Sequence, residues 1–154
     1  MKTLRQPTLA TLGLGNVLDI FKKGHMPATA ADLVDQIFGT GDKRGMMVIS
    51  GANGIVGAGK TMQFGSRLLP YGIQIIGLDF AGAPDGIGGQ YQMLREFFGA
   101  KRADEVMANV IRMNYDGKSL PSELKRLQPR FLLEAIPEIL EIKKAHYQVF
   151  RDTF

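Results

Sequence analysis

Three observations predict an α/β fold, a Rossmann-type doubly wound parallel sheet with a helical N-terminal extension. From Met46 onward, short apolar runs alternate with segments of helical period, the pattern of a parallel sheet covered by helices. The first run, Met46-Met47-Val48-Ile49-Ser50, breaks directly into Gly51-Ala52-Asn53-Gly54 and then into a helix-like stretch. A strand that delivers an anion to the free N–H groups of a helix start looks like this. The second run ends on an acid, Asp79.

Residues 1–44 read as the helical extension. Val17, Leu18, Ile20 and Phe21 cluster before Lys22-Lys23-Gly24, and cations in a last turn followed by glycine make a helix stop. Thr29 and Asp32 have capping-box spacing, with Asp in place of the usual Glu or Gln. Leu33, Val34, Ile37 and Phe38 then share one helix face, and Gly39 closes it. The stretch from Gly39 to Gly45 reads as a linker and sets the domain boundary. Residues 45–154 read as the second domain, of Rossmann type. Its strands are expected at 46–50, 73–79, 110–115 and 130–136. Its helices are expected at 56–69, 90–98, 102–109 and 119–127, with a last one opened by Pro137 at the first helical position. Residues 80–89, rich in Gly and Pro, read as a long loop.

Composition narrows the function. The chain has 154 residues, enough for one domain or a part of something larger. It has no apolar run of about 18 residues, so no transmembrane helix is expected, and its N-terminus lacks the apolar block of a secretory signal. With no cysteine there are no disulfides and no thiolate metal sites, which fits a reducing compartment, and a cytoplasmic location is expected. His25 and His146 lie far apart, so no metal centre is expected. The net charge of +4 comes from scattered basic doublets such as Lys101-Arg102 and Lys125-Arg126. Nucleic-acid binders concentrate such charge in a stripe with interleaved aromatics, so no nucleic-acid partner is expected.

Two phosphate-binding patterns overlap in the first glycine stretch. Gly51, Gly54 and Gly57 read as a dinucleotide turn. The first glycine makes the turn after the strand, the second admits the pyrophosphate to the backbone, and the third lets helix and strand pack closely. Their spacing is one residue longer in the first gap than the usual fingerprint, with Asn53 as the extra residue. Asp79 lies about 20 residues beyond Gly57, where an acid accepts hydrogen bonds from the adenosine ribose. A 2′-phosphate would be repelled there, so NAD is expected over NADP. The alternative is Gly54 to Thr61 read as Gly-x-x-x-x-Gly-Lys-Thr, a nucleoside-triphosphate loop using Lys60, Thr61 and Mg²⁺, with Asp79 as the metal-holding acid. In that reading Gly51 to Asn53 is an extra turn between strand and loop.

The last quarter of the chain, Arg130-Phe131-Leu132-Leu133-Glu134-Ala135-Ile136-Pro137-Glu138 through Lys143-Lys144, resembles the NAD-binding domain of the 3-hydroxyacyl-CoA dehydrogenases. That family has a strand ending in Glu-Ala-Val/Ile, then an acid, then a lysine five residues later. The acid matches Glu138 and the lysine Lys143, while the family's glycine turn matches Gly51, Ala52, Gly54, Ile55, Val56 and Gly57. The resemblance covers roughly residues 46–154. It implies NAD(H) as cofactor, held by those residues with Asp79 on the ribose and Ala135, Ile136, Glu138 and Lys143 along the nicotinamide half. It also implies hydride transfer between a 3-hydroxyacyl substrate and NAD, in fatty acid metabolism.

Departures are visible too: the Asn53 insertion, the glycine-rich 80–89 stretch where the family starts a helix, and no counterpart to residues 1–44. The family's dehydrogenation uses a histidine base oriented by a glutamate, with a serine and an asparagine near the substrate. None of these has a match in this chain, so no catalytic residue is assigned. His25 and His146 read as surface or packing histidines, and Phe80 as a core residue or loop anchor that is also placed to pack on an adenine. The expectation is a cofactor domain, not active alone. An acyl-CoA-type substrate would need the missing C-terminal part, and a homodimer is compatible. A non-catalytic Rossmann-like interaction domain is the third reading.

Overall fold

The computed structural model describes residues 29–154. The helix expected near 17–23 and His25 lie outside the described residues. Residues Val34–Phe154 form one compact unit, which carries the sheet.

Helix α1 spans Ala30–Phe38. The expected capping box is formed in both directions: Asp32 N–H donates to Thr29 Oγ1 (3.1 Å) and Thr29 N–H to Asp32 Oδ2 (3.0 Å). These bonds to Thr29 hold the Asp32 carboxyl below its ordinary pKa. Of the expected apolar face, Val34 and Phe38 are buried, while Leu33 and Ile37 stay exposed.

The α/β alternation follows. Strand β1 is Met46–Ser50, helix α2 Ile55–Leu68, β2 Ile75–Phe80, α3 Gly86–Phe98 and α4 Ala100–Ala108. Then come β3 at Val110–Tyr115, α5 at Ser122–Arg126, β4 at Pro129–Glu134 and α6 at Leu140–Thr153. All strand pairings are parallel, in the order β3-β2-β1-β4. This is a Rossmann-like doubly wound α/β fold. Successive strand residues point to opposite faces, and both faces are covered, which is why β1 and β2 read as continuous apolar runs rather than alternating ones. Met47, Ile49 and Ile75 pack against α1, α2, α3 and α4 through Phe38, Met62, Ile87 and Val106. Val48, Ile76 and Leu78 pack on the other face against Leu124 of α5 and Phe150 of α6. Ile49, Ile75, Ile76 and Leu78 are wholly buried, each burial contributing roughly 1.5–3 kcal/mol.

Several boundaries differ from the expectation: α5 covers only Ser122–Arg126 of the helix expected at 119–127, and β4 ends at Glu134 rather than 136. Helix α3 begins at Gly86, so the last four residues of the expected 80–89 loop are helical. Asp85 caps it, accepting from Gly88 N–H at 2.9 Å, and Ile87 anchors it with a fully buried side chain. A Cβ at Gly86 would come within 2.1 Å of the Asn53 carbonyl oxygen, so glycine is needed there for approach despite its poor helix propensity. Strand β2 begins at Ile75 rather than 73; the Ile73 carbonyl is instead taken by Asn109, whose buried Nδ2 also donates to Gly65 of α2. Helix α6 opens at Leu140 rather than Pro137. Pro137 makes a tight turn in which its carbonyl accepts from Ile139 N–H at 2.7 Å, so Glu138 precedes the helix instead of sitting in its first turn.

Candidate functional site

The carboxyl ends of the four strands meet at one cleft of about 510 Å³. Sequence order reverses across β1: the chain leaves it toward β2 on one side and returns to β4 on the other. The loops after β1 and β4 therefore diverge and open a crevice between them.

Gly51 turns the chain out of β1 at φ +76°, a conformation costly to a residue with a Cβ. The space also requires glycine, since a Cβ would lie 2.7 Å from the Ala135 carbonyl oxygen. Ala135 N–H in turn donates to Ser50 O at 2.8 Å, so the two loop starts are tied together. Gly57 lies in the first turn of α2, where a Cβ would be 1.9 Å from Gly51 O. This is the close helix–strand packing expected of a third glycine. Gly54 is the N-cap and offers no side chain to the helix start. The α2 ladder begins with Ala58 N–H donating to Gly54 O at 2.8 Å, and the N–H groups of Ile55, Val56 and Gly57 precede it, as at any helix start.

Asp79, at the end of β2, is 7% exposed and lines the cleft. Its Oδ2 accepts from Asn53 N–H (2.7 Å) and its Oδ1 from Phe80 N–H (2.8 Å). Each carboxylate oxygen can accept more than one bond, so the acid steadies the glycine turn and keeps acceptor capacity for a hydroxyl. The extra residue Asn53 is thus a clamp: its N–H binds Asp79, and its Oδ1 faces Ile87 N–H at 3.4 Å.

Gly51, Gly54, Asp79, Ala135 and Ile136 line the cleft. The structure does not bring the other expected cofactor residues to its wall. Ala52 is buried in the core, and Gly57 lies beneath the turn. Ile55 and Val56 are exposed on α2. Lys143 Nζ pairs with Glu134 (2.9 Å) and with Glu138 (2.6 Å), whose side chain is 89% exposed. These two carboxylates, Glu138 first, push the Lys143 pKa upward. Burial raises the Glu134 carboxyl, but hydrogen bonds from Lys143 and Tyr147 outweigh it and leave its pKa lowered.

Lys60 and Thr61 lie well inside α2. Thr61 is fully buried and donates to Gly57 O at 2.8 Å, and Lys60 Nζ donates to Gln63 on the same helix. The Gly-Lys-Thr match is helical, with no loop that could wrap a phosphate. Among the described residues no cluster of three His, Cys, Asp or Glu could hold a metal ion, and no helix is long and apolar enough to cross a membrane.

Sequence reasoning missed Tyr115 and His146. His146 is 4% exposed, lines the cleft, and its Nδ1 lies 3.0 Å from the Tyr115 hydroxyl. Among the described residues its Nε2 is buried without a partner, as is Ser50 Oγ. Burial pushes the His146 pKa down, against the opposing field of Glu134. Burial likewise pushes the Tyr115 hydroxyl up, and Asp79 adds to the rise. A signal was present: Ile142, Ala145, His146 and Phe150 recur at helical spacing, which places His146 on the inner stripe of α6. Nothing comparable marked Tyr115, because its partner lies on a distant element.

Neither a scan against protein-family models nor searches of curated proteins and of solved structures return a match for this chain.

Proposed function

We propose that this chain is the NAD-binding domain of an oxidoreductase resembling the 3-hydroxyacyl-CoA dehydrogenases. One observation carries the reading: the glycine turn, the Asp79 carboxylate and the Ala135–Pro137 segment border a single cleft where the sheet order reverses. The cleft suits the ligand at three points. The helix start beyond Gly54 offers backbone N–H groups to a pyrophosphate. Asp79 has acceptor capacity left for ribose hydroxyls, and its charge opposes the 2′-phosphate of NADP. The turn is narrow enough that Gly51 and Gly57 exclude a Cβ.

In this role the main-chain N–H groups of 55–57 hold the pyrophosphate, Asp79 the adenosine ribose, and Ala135 and Ile136 the nicotinamide side. Glu138 and Lys143 flank that side once the lysine exchanges one of its carboxylate partners for the ligand. Bound nicotinamide supplies hydride transfer. This chain's part is to bind and orient it, and a base for a 3-hydroxyacyl substrate would come from outside residues 1–154. The absence of cysteine fits a cytoplasmic setting.

Calorimetry tests the proposal. NAD and NADH are expected to bind the folded protein, with NADP weaker. Asp79→Ala should weaken NAD by about 1–3 kcal/mol, the worth of charge-assisted hydrogen bonds left unmade. A folded wild-type sample that binds neither nucleotide at millimolar concentration would end the reading.

A further inference from the structure

One wall of the cleft has a feature that phosphate and ribose do not account for. Phe80, the last residue of β2, leaves 49% of its surface exposed although it sits beside the buried core. It is not loose. One face of its ring stacks on Tyr115 at the end of β3, with centroids 5.0 Å apart and planes 15° from parallel. Tyr115 is pinned from behind by the His146 contact at 3.0 Å. A ring edge is closed by Gly117, where a Cβ would lie 2.8 Å from Phe80 Cε1. The ring is held on one face and one edge, and it lines the cleft while half of its surface stays exposed. Ile142 of α6 and Pro137 line the same cavity, and Ile142 is 43% exposed. The result is a slot with an aromatic wall and an aliphatic wall, one residue along the chain from the acid assigned to the ribose.

We infer that Phe80, backed by Tyr115, is a stacking platform for the adenine base of an adenosine-containing ligand and decides affinity for that half. This inference rests on the dinucleotide reading of the same cleft. A flat, polarisable base fits an open ring face because parallel stacking needs no particular hydrogen-bond partner, and base–aromatic stacking contributes strongly wherever a ring is held in place. A ring that only closed the end of the sheet would be covered by its neighbours, whereas Phe80 lines the cleft and stays half exposed.

The test separates the ligand into halves. AMP, ADP-ribose, NAD and nicotinamide mononucleotide are titrated into the wild type, Phe80→Leu and Phe80→Trp. AMP, ADP-ribose and NAD should each weaken by about tenfold or more in Phe80→Leu, within the range for loss of one base stack. Nicotinamide mononucleotide should be unaffected, and Phe80→Trp should retain binding. The chain contains no tryptophan, so the indole of the Phe80→Trp variant is a lone reporter: AMP should quench its fluorescence and nicotinamide mononucleotide should not. If NAD binds the wild type but Phe80→Leu, folded by circular dichroism, binds AMP and ADP-ribose unchanged, the platform is wrong and the dinucleotide site stands. The platform is equally wrong if AMP leaves the indole fluorescence unchanged. If the wild type binds none of the adenosine ligands, both proposals fall.

Discussion

Single atoms decide much of this site. Gly57 carries no Cβ because one would stand 1.9 Å from the Gly51 carbonyl oxygen. That neighbour is backbone, so it cannot swing aside as a side chain would. Gly57→Ala should therefore cost about 1–3 kcal/mol of stability, the usual penalty for overpacking, read from urea unfolding. It should also weaken NAD, because relief would displace the helix start from the turn. His146 makes a different kind of prediction. It is buried neutral, with its folded pKa held below the ordinary value of 6.5 by burial. A histidine of this kind contributes stability that is complete above the unfolded pKa. As pH falls below about 6.5 the unfolded chain takes up the proton first, and the contribution is lost as pH drops through the folded value. Urea unfolding at a series of pH values should show this decline, and His146→Phe should flatten it. The same substitution removes the orphaned Nε2, whose burial without a partner costs about 1–3 kcal/mol, at the expense of Tyr115's contact. An unchanged pH profile in the variant would show that other groups carry the acid sensitivity.

Elements add a second layer, most plainly in α2. The sequence from Gly54 to Thr61 satisfies a triphosphate-loop spacing, yet the structure makes Ile55–Leu68 one continuous helix. Thr61 is spent on the Gly57 carbonyl and Lys60 on Gln63. Lys60→Ala should accordingly leave NAD affinity within about twofold and thermal stability nearly unchanged, since a half-exposed lysine paired with a neutral neighbour contributes little. A Mg²⁺-dependent ATP affinity lost in that variant would favour the triphosphate-loop reading instead. Helix α6 shows how much of the candidate site the sequence let through. Its stripe of Ile142, Ala145, His146 and Phe150 has helical spacing, yet from sequence the histidine in it reads as a surface or packing residue. The side chains that meet His146 were not legible, because Tyr115 reaches it from the end of β3, 31 residues away in sequence. Lys143, read as a cofactor residue by resemblance, is held by both Glu134 and Glu138, and the first of these reaches it from the end of β4.

At the scale of the molecule, the order β3-β2-β1-β4 turns four separate loops into one cleft. A ligand that binds there binds only the folded state, so it must stabilise the whole α/β unit. NAD at a hundred times its dissociation constant should add about 2.7 kcal/mol to the unfolding free energy, seen as a rise in melting temperature that grows with concentration. Asp79→Ala at the same NAD concentration should show a smaller rise. A wild-type melting temperature insensitive to NAD would place the ligand elsewhere or nowhere.

The sequence by itself determined what depends on neighbours along the chain. Strand and helix alternation, the capping box at Thr29 and Asp32, the glycine turn directly after β1 and the acid at the end of β2 all follow from periodicity, capping chemistry and glycine's freedom at positive φ. Only the tertiary structure decided what depends on contacts across the fold. Asn53 became a clamp through bonds to residues 26 and 34 positions away. Gly86 to Gly89 became helical because Asn53 and the core fixed Ile87 and Gly86 in place, overriding weak local propensity. Phe80, Tyr115 and His146 became one wall because β2, β3 and α6 end at the same place. The physical reason is range: local preferences act over a few residues, while a cleft is made by side chains that meet only after the sheet has chosen its order.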